Sequence, residues 1–522
     1  MDTKALRRKI LDLAIRGQLV PQDPADEPAS VLLDRIRAEK QKMVKEGKLK
    51  AKDIKNDSII FVGEDSLHYE KFADGSVKCI EDEIPFELPE GWAWARLGTV
   101  FSTVTGATPS TKDASLYGTD YPFYKPTDLD AGYNVCGAED SVSEKGYLSG
   151  RPLPKFSVLV TCIGATIGKT GYISNAGICN QQINAVLPNS EVLSDYTYFC
   201  MCSQYEQEQI WTNSSATTLP ILNKSKFDNL LFPIPPHEQQ SRIVERIKGL
   251  FFFVEKVQSN QESLKTTVGI AKSKILDLAI RGQLVPQDPN DEPASVLLER
   301  IRAEKEELIK QGKIKRDNKE SVIFRGEDNS YYLRTGKLVE SLEDWRFDAL
   351  PETWELCCLG DVCDYGDCIN VDTADIADDA WILDLEDIEK DTGAVIKKVT
   401  KAQRSSASTK HRFYSGQVLY SKLRPYLNKV VLSDADGYCT SEIIPLKFDR
   451  CVLPEYARYY LMSPTFLAYA DRCSYGVKMP RMGTADGKKA IIPLPPLVEQ
   501  KRIAKTIELL FSQLTRISEA LV

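Results

Sequence analysis

Apolar residues recur along 237–284 with a period that few folds accommodate. Ile243, Ile247, Leu250, Val254, Val257, Leu264, Val268, Ala271, Ile275 and Leu278 follow alternating steps of four and three, with Gln261 in the one polar place. This is the 3.5-residue repeat of a helix that packs one seam against a second helix. At about 1.5 Å per residue such a helix runs roughly 60 Å, more than a globular core needs, so it reads as a spacer. Its partner lies at the two ends of the chain. Pro-Leu-Pro-Pro at 493–496 repeats Pro-Ile-Pro-Pro at 233–236, and Ile503, Ile507, Leu510, Leu514, Ile517 and Leu521 then match Ile243 through Gln261. Thr3, Leu6, Ile10 and Leu13 match Val268, Ala271, Ile275 and Leu278, and residues 9–24 recur at 274–289. The chain is a tandem duplication cut inside one of its long helices. The expected structure closes the circle, with the C-terminal and N-terminal segments forming a composite antiparallel to the central helix around a pseudo-twofold axis.

Hydrophobic content of 42% and charged content of 27% are those of a folded globular protein. No apolar run approaches the roughly 20 residues of a membrane span, and the charged start Met1–Lys9 is unlike a secretory signal. Among thirteen cysteines there is no Cys-x-x-Cys pair. Cys357, Cys358, Cys363 and Cys368 form the densest group, but none of the three histidines lies near them. Reduced cysteines in a cytoplasmic protein are expected, with no metal. A net charge of −8 means that any nucleic-acid interface must rest on local patches.

In chain order the expected segments are 1–17, the first part of the split helix, closed by Gly17; 18–84, a connector with a helix opened by Pro28 and a strand at 58–62; and 85–236, a first insert. The central helix, 237–284, precedes a repeated connector at 285–346, a second insert at 347–496 and the rest of the split helix at 497–522. Pro28 and Pro293 open matching helices, and Gly47 and Gly312 end them. In the first of these helices Val31, Leu32, Ile36 and Met43 make the apolar stripe. Both copies carry Leu-Pro-Glu before a Trp and a Leu-Gly: Leu88, Pro89, Glu90, Trp92, Leu97 and Gly98 match Leu350, Pro351, Glu352, Trp354, Leu359 and Gly360. Between these strings and the Pro-rich exits lie blocks of roughly 140–150 residues, each suited to one domain. Strand-like runs and short helices alternate in them, which predicts α+β. The frame is repeated while the inserts differ, as expected if the frame does one mechanical job and each insert reads something different.

The second insert has no acid from Thr392 to Ser433. That window holds Lys397, Lys398, Lys401, Arg404, Lys410, Arg412, Lys422, Arg424 and Lys429, interleaved with Phe413, Tyr414, Tyr420 and Tyr426. The first insert is acid-free over Lys145–Ser190, with Lys145, Arg151, Lys155 and Lys169. Basic residues with aromatics and no acids suit phosphates and base edges; the plainer alternative is a solvated basic face. Residues 178–187 alternate, which puts Asn180, Gln182 and Asn184 on one face of a strand. Carboxamides can pair bidentately with adenine, or simply form the polar side of a half-buried strand. The matching positions in the second copy hold Thr440, Glu442 and Ile444, so the two inserts would read different bases.

Gly164-Ala-Thr-Ile-Gly168-Lys169-Thr170 has three residues between its glycines where a phosphate-binding P-loop has four, so it is rejected as a nucleotide site. Lys169 reads instead as a phosphate-backbone contact. Asp384-Leu-Glu386-Asp387 reads as a solvated acidic turn rather than a metal site. No methyltransferase, nuclease or helicase motif is present, so no catalytic residue is assigned.

The whole chain resembles the specificity subunit of type I restriction–modification enzymes. The resemblance rests on the duplicated helices, on residues 233–240 with 493–500, and on residues 13–22 with 278–287. In the inserts it rests on Thr161–Lys169, Cys179–Ala185 and Leu419–Lys429. It implies two α/β target-recognition domains, each reading one half of a bipartite asymmetric DNA site, separated by two long antiparallel coiled-coil helices in a pseudo-twofold circular arrangement. The DNA-contacting candidates are then Lys145, Lys155, Thr161, Lys169, Asn180, Gln182, Asn184, Lys397, Lys398, Lys401, Lys410, Arg412, Lys422, Arg424, Tyr426, Lys429 and Glu442. The resemblance also implies double-stranded DNA, two modification (methyltransferase) subunits and restriction (translocase/nuclease) subunits as partners. The chain itself would hold no cofactor; S-adenosylmethionine, ATP and Mg2+ would serve the partner subunits. The alternative is a coiled-coil scaffold with two protein-binding domains.

Overall fold

The computed structural model describes residues 2–47, 51, 54–215, 219–312, 321–328, 330–345, 347, 350–404 and 408–520. Leu521, the last expected seam residue, lies outside them. The chain forms two compact units, Met1–Asn260 and Gln261–Val522. Among the described residues no helix is long and apolar enough to cross a membrane.

The central helix, His237–Ile280, is continuous over 44 residues and contributes to both units. Ile243, Ile247, Val254 and Val268 on its seam are buried, and Leu250, Val257, Gln261, Leu264, Ala271, Ile275 and Leu278 are half-buried. It stops short of 284 because Gly282 takes a left-handed backbone (φ +68°) that ends the helix.

In the first unit the N-terminal helix, Thr3–Ile15, is capped by Asp2, whose carboxylate accepts from the backbone N–H groups of Lys4 and Ala5 at 2.9 and 3.0 Å. Ile10, Leu11, Ala14 and Ile15 share one core with Ile243, Val244, Ile247 and Val254. Arg7 pairs with Glu255 at 3.1 Å and stacks on Phe251, while Gln22 meets Gln239 at 2.8 Å. Later residues of one segment meet earlier residues of the other, so the two run antiparallel. The second unit repeats this with the C-terminal helix, Leu497–Glu519. Lys272 meets Thr515 and the Phe511 ring, and Gln287 meets Glu499. Ile503 and Ile507 are buried, and Leu510 and Leu514 half-buried. Ile517 departs from the expected seam: it is 49% exposed, in the last turn of its helix.

The connector helices Ala29–Lys45 and Ala294–Lys310 follow Pro28 and Pro293. Val31, expected in the apolar stripe, faces outward; the buried positions are Ala29, Leu32, Ile36 and Lys40, which a helical spacing of three and four puts on one face. Each connector then builds a three-stranded antiparallel sheet: Ser58–Val62, His68–Phe72 and Val77–Cys79 in the first unit, Ser321–Arg325, Tyr331–Thr335 and Leu338–Ser341 in the second.

Each insert is clamped where it leaves the frame. The strand leading in, Ala93–Arg96, pairs antiparallel with the strand leading out, Leu231–Ile234, and Glu355–Cys358 pairs likewise with Ile491–Leu494. The repeated Trp locks this clamp to the helices: Trp92 Nε1 donates to Gln239 at 2.9 Å, and Trp354 Nε1 to Glu499 at 3.0 Å. Within the first insert the four-stranded sheet runs in the order Thr103–Thr105, Ile183–Val186, Val158–Thr161, Thr170–Tyr172. The second has a three-stranded counterpart, Val430–Leu432, Val418–Ser421, Ile443–Leu446, beside a five-stranded sheet.

Candidate nucleic-acid interface

Three segments meet in each insert through the same backbone bonds. In the second unit Lys422 N–H donates to Glu442 O (3.0 Å), Met482 N–H to Lys422 O (3.0 Å) and Arg424 N–H to Pro480 O (2.7 Å). In the first, Cys162 N–H donates to Gln182 O (2.7 Å), Leu222 N–H to Cys162 O (2.8 Å) and Gly164 N–H to Pro220 O (3.0 Å). A strand-end turn, a second turn and the segment around Pro220 or Pro480 therefore converge at matched places. The side chains on this shared scaffold differ: Gln182 against Glu442, Ile221 against Arg481, Gly164 against Arg424, Thr166 against Tyr426. The turn itself is left-handed at two matched points. Gly164 and Gly168 take φ +99° and +87°, and Arg424 and Asn428 both take +50°. A left-handed Arg is strained, and such strain is often kept where a side chain must be aimed.

Arg424, Tyr426 and Lys422 lie on this convergence, with Tyr426 50% exposed. Arg412 is exposed beside Tyr414, and Lys397 is exposed. Much of the rest of the acid-free window is paired with acids from other stretches. Lys398 pairs with Asp434 at 2.7 Å and lies over the Trp381 ring. Lys401 pairs with Asp378 at 3.3 Å. Arg404 binds Asp387 at 2.6 Å and Asp384 at 2.9 Å, so the acidic turn expected in solvent is folded onto a guanidinium and Asp387 is buried. Lys410 is buried 3.5 Å from Asp384. Lys429 donates to Leu385 O at 2.6 Å, and burial lowers its pKa.

In the first unit Lys145 pairs with Asp113 (3.1 Å), and Lys169 with Asp130 (2.6 Å). Lys155 is exposed over Phe156. The expected single strand over 178–187 is broken. Ile178–Cys179 pairs parallel with Tyr117–Tyr124 in one sheet, Ile183–Val186 belongs to another, and residues 180–182 turn between them. Asn180 therefore serves the turn, accepting from Gln182 N–H at 3.1 Å and donating to Gln182 Oε1 at 2.9 Å. Asn184 is buried, its carbonyl taken by Thr105 Oγ1 at 2.7 Å. Thr161 is buried with its hydroxyl unpartnered. Of the three carboxamides Gln182 alone is not buried. The rejected P-loop string forms the turn between Val158–Thr161 and Thr170–Tyr172, with no helix following it to hold a phosphate.

The Ser215–Ile221 bridge and the hairpin at 474–482 lie outside the acid-free windows that the sequence offers. Arg481 and Lys478 lie outside those windows, and the only signal was the matched Pro220 and Pro480. The thirteen cysteines are free. Among the described residues no group of three or more His, Cys, Asp or Glu is placed to hold a metal ion.

Comparison with known proteins gives this geometry a context. The chain is 29% identical over 408 residues to the type I restriction enzyme EcoEI specificity subunit of Escherichia coli, an alignment covering 69% of this chain and 61% of that protein. It is 29% identical over 412 residues to the EcoAI specificity subunit of the same organism, covering 69% and 62%. The matched part thus spans about three fifths of these relatives' length. A chain from a solved structure of the type I R-M system shares the fold, with a TM-score of 0.53 at 17% identity, covering 84% of this chain and 94% of that one. The family model described as the type I restriction modification DNA specificity domain matches twice, at residues 89–264 and 351–521. Since each match takes in one insert and all or part of the helix that follows it, and the two together cover most of the chain, the protein belongs to the type I restriction modification DNA specificity family.

Proposed function

We propose that this chain is the DNA-specificity subunit of a type I restriction–modification complex, a non-catalytic protein of the cytoplasm. Each insert reads one half of a bipartite, asymmetric site in double-stranded DNA, and the helices set the spacer and dock two modification subunits. S-adenosylmethionine belongs to those subunits; ATP and Mg2+ belong to the restriction subunits. The observation that carries this reading is the pair of inserts that match one DNA-specificity family model while presenting different side chains on one backbone scaffold. Major-groove base edges distinguish all four pairs, so different side chains on one scaffold are what two different half-sites require.

The test is genome-wide mapping of methylated adenine in cells that express the chain with its modification partner. A bipartite motif is expected, and replacing residues 349–494 with another insert should change one half only. A protein-binding scaffold would leave no bipartite motif, and that result would overturn the reading.

A further inference from the structure

Arg481 and Glu442 face each other across the convergence of turn and hairpin in the second unit. Arg481 Nε donates to both Glu442 oxygens at 3.1 and 3.0 Å, and Nη2 to Oε1 at 2.9 Å. Nη1 donates to Met479 O at 3.2 Å. A guanidinium has five N–H groups. These contacts leave one N–H on each terminal nitrogen. The Arg481 side chain is 34% exposed and that of Glu442 24%, so the pair is anchored in the protein with its end open. The hairpin that carries Arg481 projects: Tyr475, Val477 and Met479 on it are all exposed. Lys422 and Arg424 are tied to the same place by backbone bonds.

We propose, building on the DNA-specificity reading, that Arg481 recognises a guanine in the half-site read by the second insert and that Glu442 is its positioning residue. Two parallel N–H donors match guanine O6 and N7, the commonest specific arginine contact in the major groove. A phosphate is the poorer fit. Glu442 beside the guanidinium repels a full negative charge but not a neutral base edge, and a phosphate contact needs no such fixed plane. Glu442 is given the positioning role because its carboxylate holds the Nε and Nη2 edge of the guanidinium. The matched places in the first unit hold Gln182 and Ile221, which cannot make this contact. The first half-site therefore lacks this arginine–guanine contact.

Adenine methylation is mapped genome-wide in cells producing the full chain, or its variants, with the modification partner. Arg481→Ala and Arg481→Lys should relax one G·C position in a single half-site, lowering discrimination there by about 5- to 150-fold. The other half-site and the spacer should not change. Lysine keeps the charge without the fork, so it separates base reading from phosphate contact. Glu442→Gln should relax the same position to a smaller degree. If Arg481→Ala abolishes methylation by unfolding the insert, the motif of Arg481→Lys decides. A consensus retained at every position by Arg481→Lys overturns the proposal, as does methylation that falls evenly over all sites. A wild-type chain with no bipartite motif would instead remove the function on which it rests.

Discussion

Gln239 and Glu499 hold the same place in the two units, and the difference exposes what one ionisable atom does in a shared setting. Trp92 Nε1 donates to Gln239 Oε1, and Gln239 Nε2 donates to Gln22 Oε1 at 2.8 Å. In the second unit Trp354 and Gln287 both donate to the Glu499 carboxylate, at 3.0 and 2.6 Å. Burial raises the Glu499 pKa, and these hydrogen bonds and Arg502 offset it only in part. Between the unfolded and the folded pKa, the folded state therefore holds a proton that the unfolded chain has released. Stability is highest below the unfolded pKa and falls as pH rises through the window up to the folded pKa. Glu499→Gln can adopt the bonds seen at Gln239, so the variant should melt higher than the parent at pH 8, with the gap closing toward pH 4. For a gain of about 1 kcal/mol the rise is about 2–4 °C. Thermal melts at both pH values check it, and a difference that does not vary with pH would refute the assignment. A different exchange, of charged for apolar groups, separates the two cores. Arg96 is buried between Glu70 and Glu83 at 2.7 Å from each, where the second unit has Cys358 and Leu333 at the Arg96 and Glu70 places. Buried ion pairs can be replaced by apolar packing without loss of fold, and the two units show both solutions.

At the scale of elements, the identical string at 9–24 and 274–289 is explained by one close approach. Gly17 and Gly282 end their helices at φ +66° and +68°, and an added Cβ would lie 2.5 Å from Pro89 Cγ and 2.4 Å from Pro351 Cγ. The helix end, the Leu-Pro-Glu string and the buried Trp thus form one joint, and each part constrains the others. Gly282→Ala should destabilise the second unit by at least the roughly 1–2 kcal/mol of a left-handed alanine, with the proline contact adding to it. A melting temperature equal to the parent's would show that the joint yields without cost. This joint was legible in the sequence because its parts repeat, and the seam was legible because its period is long and regular. The inserts were not. Strands as short as Ile178–Cys179 leave no period to read, and a turn at 180–182 counterfeited a continuous strand. The ion pairs of the basic windows were hidden for a related reason: Asp384, Asp387 and Asp434 come from outside the window they pair with, and only the fold brings them there. Arg481 was missed because it lies outside the acid-free windows, 39 residues from its partner Glu442.

For the molecule as a whole, the consequence is a division of labour that can be tested by changing length alone. The central helix supplies seam residues to both units and, at about 1.5 Å per residue, runs about 66 Å. If it sets the spacer, lengthening it should move one half-site relative to the other and leave both readers untouched. Four residues inserted after the exposed Lys265 add about 6 Å of rise and rotate the downstream face by only about 40° beyond a full turn. A four-residue insertion in a heptad pattern is absorbed by local unwinding, so the seam can re-form on both sides of it. With about 3.4 Å per base pair, the spacer in the methylated motif should grow by one or two base pairs while both half-site sequences persist. Adenine-methylation mapping of the insertion variant reads spacer and half-sites in one experiment. An unchanged spacer would mean that the distance is set elsewhere. A changed half-site sequence would mean that the helix takes part in reading bases, contrary to the assignment of reading to the inserts and spacing to the frame.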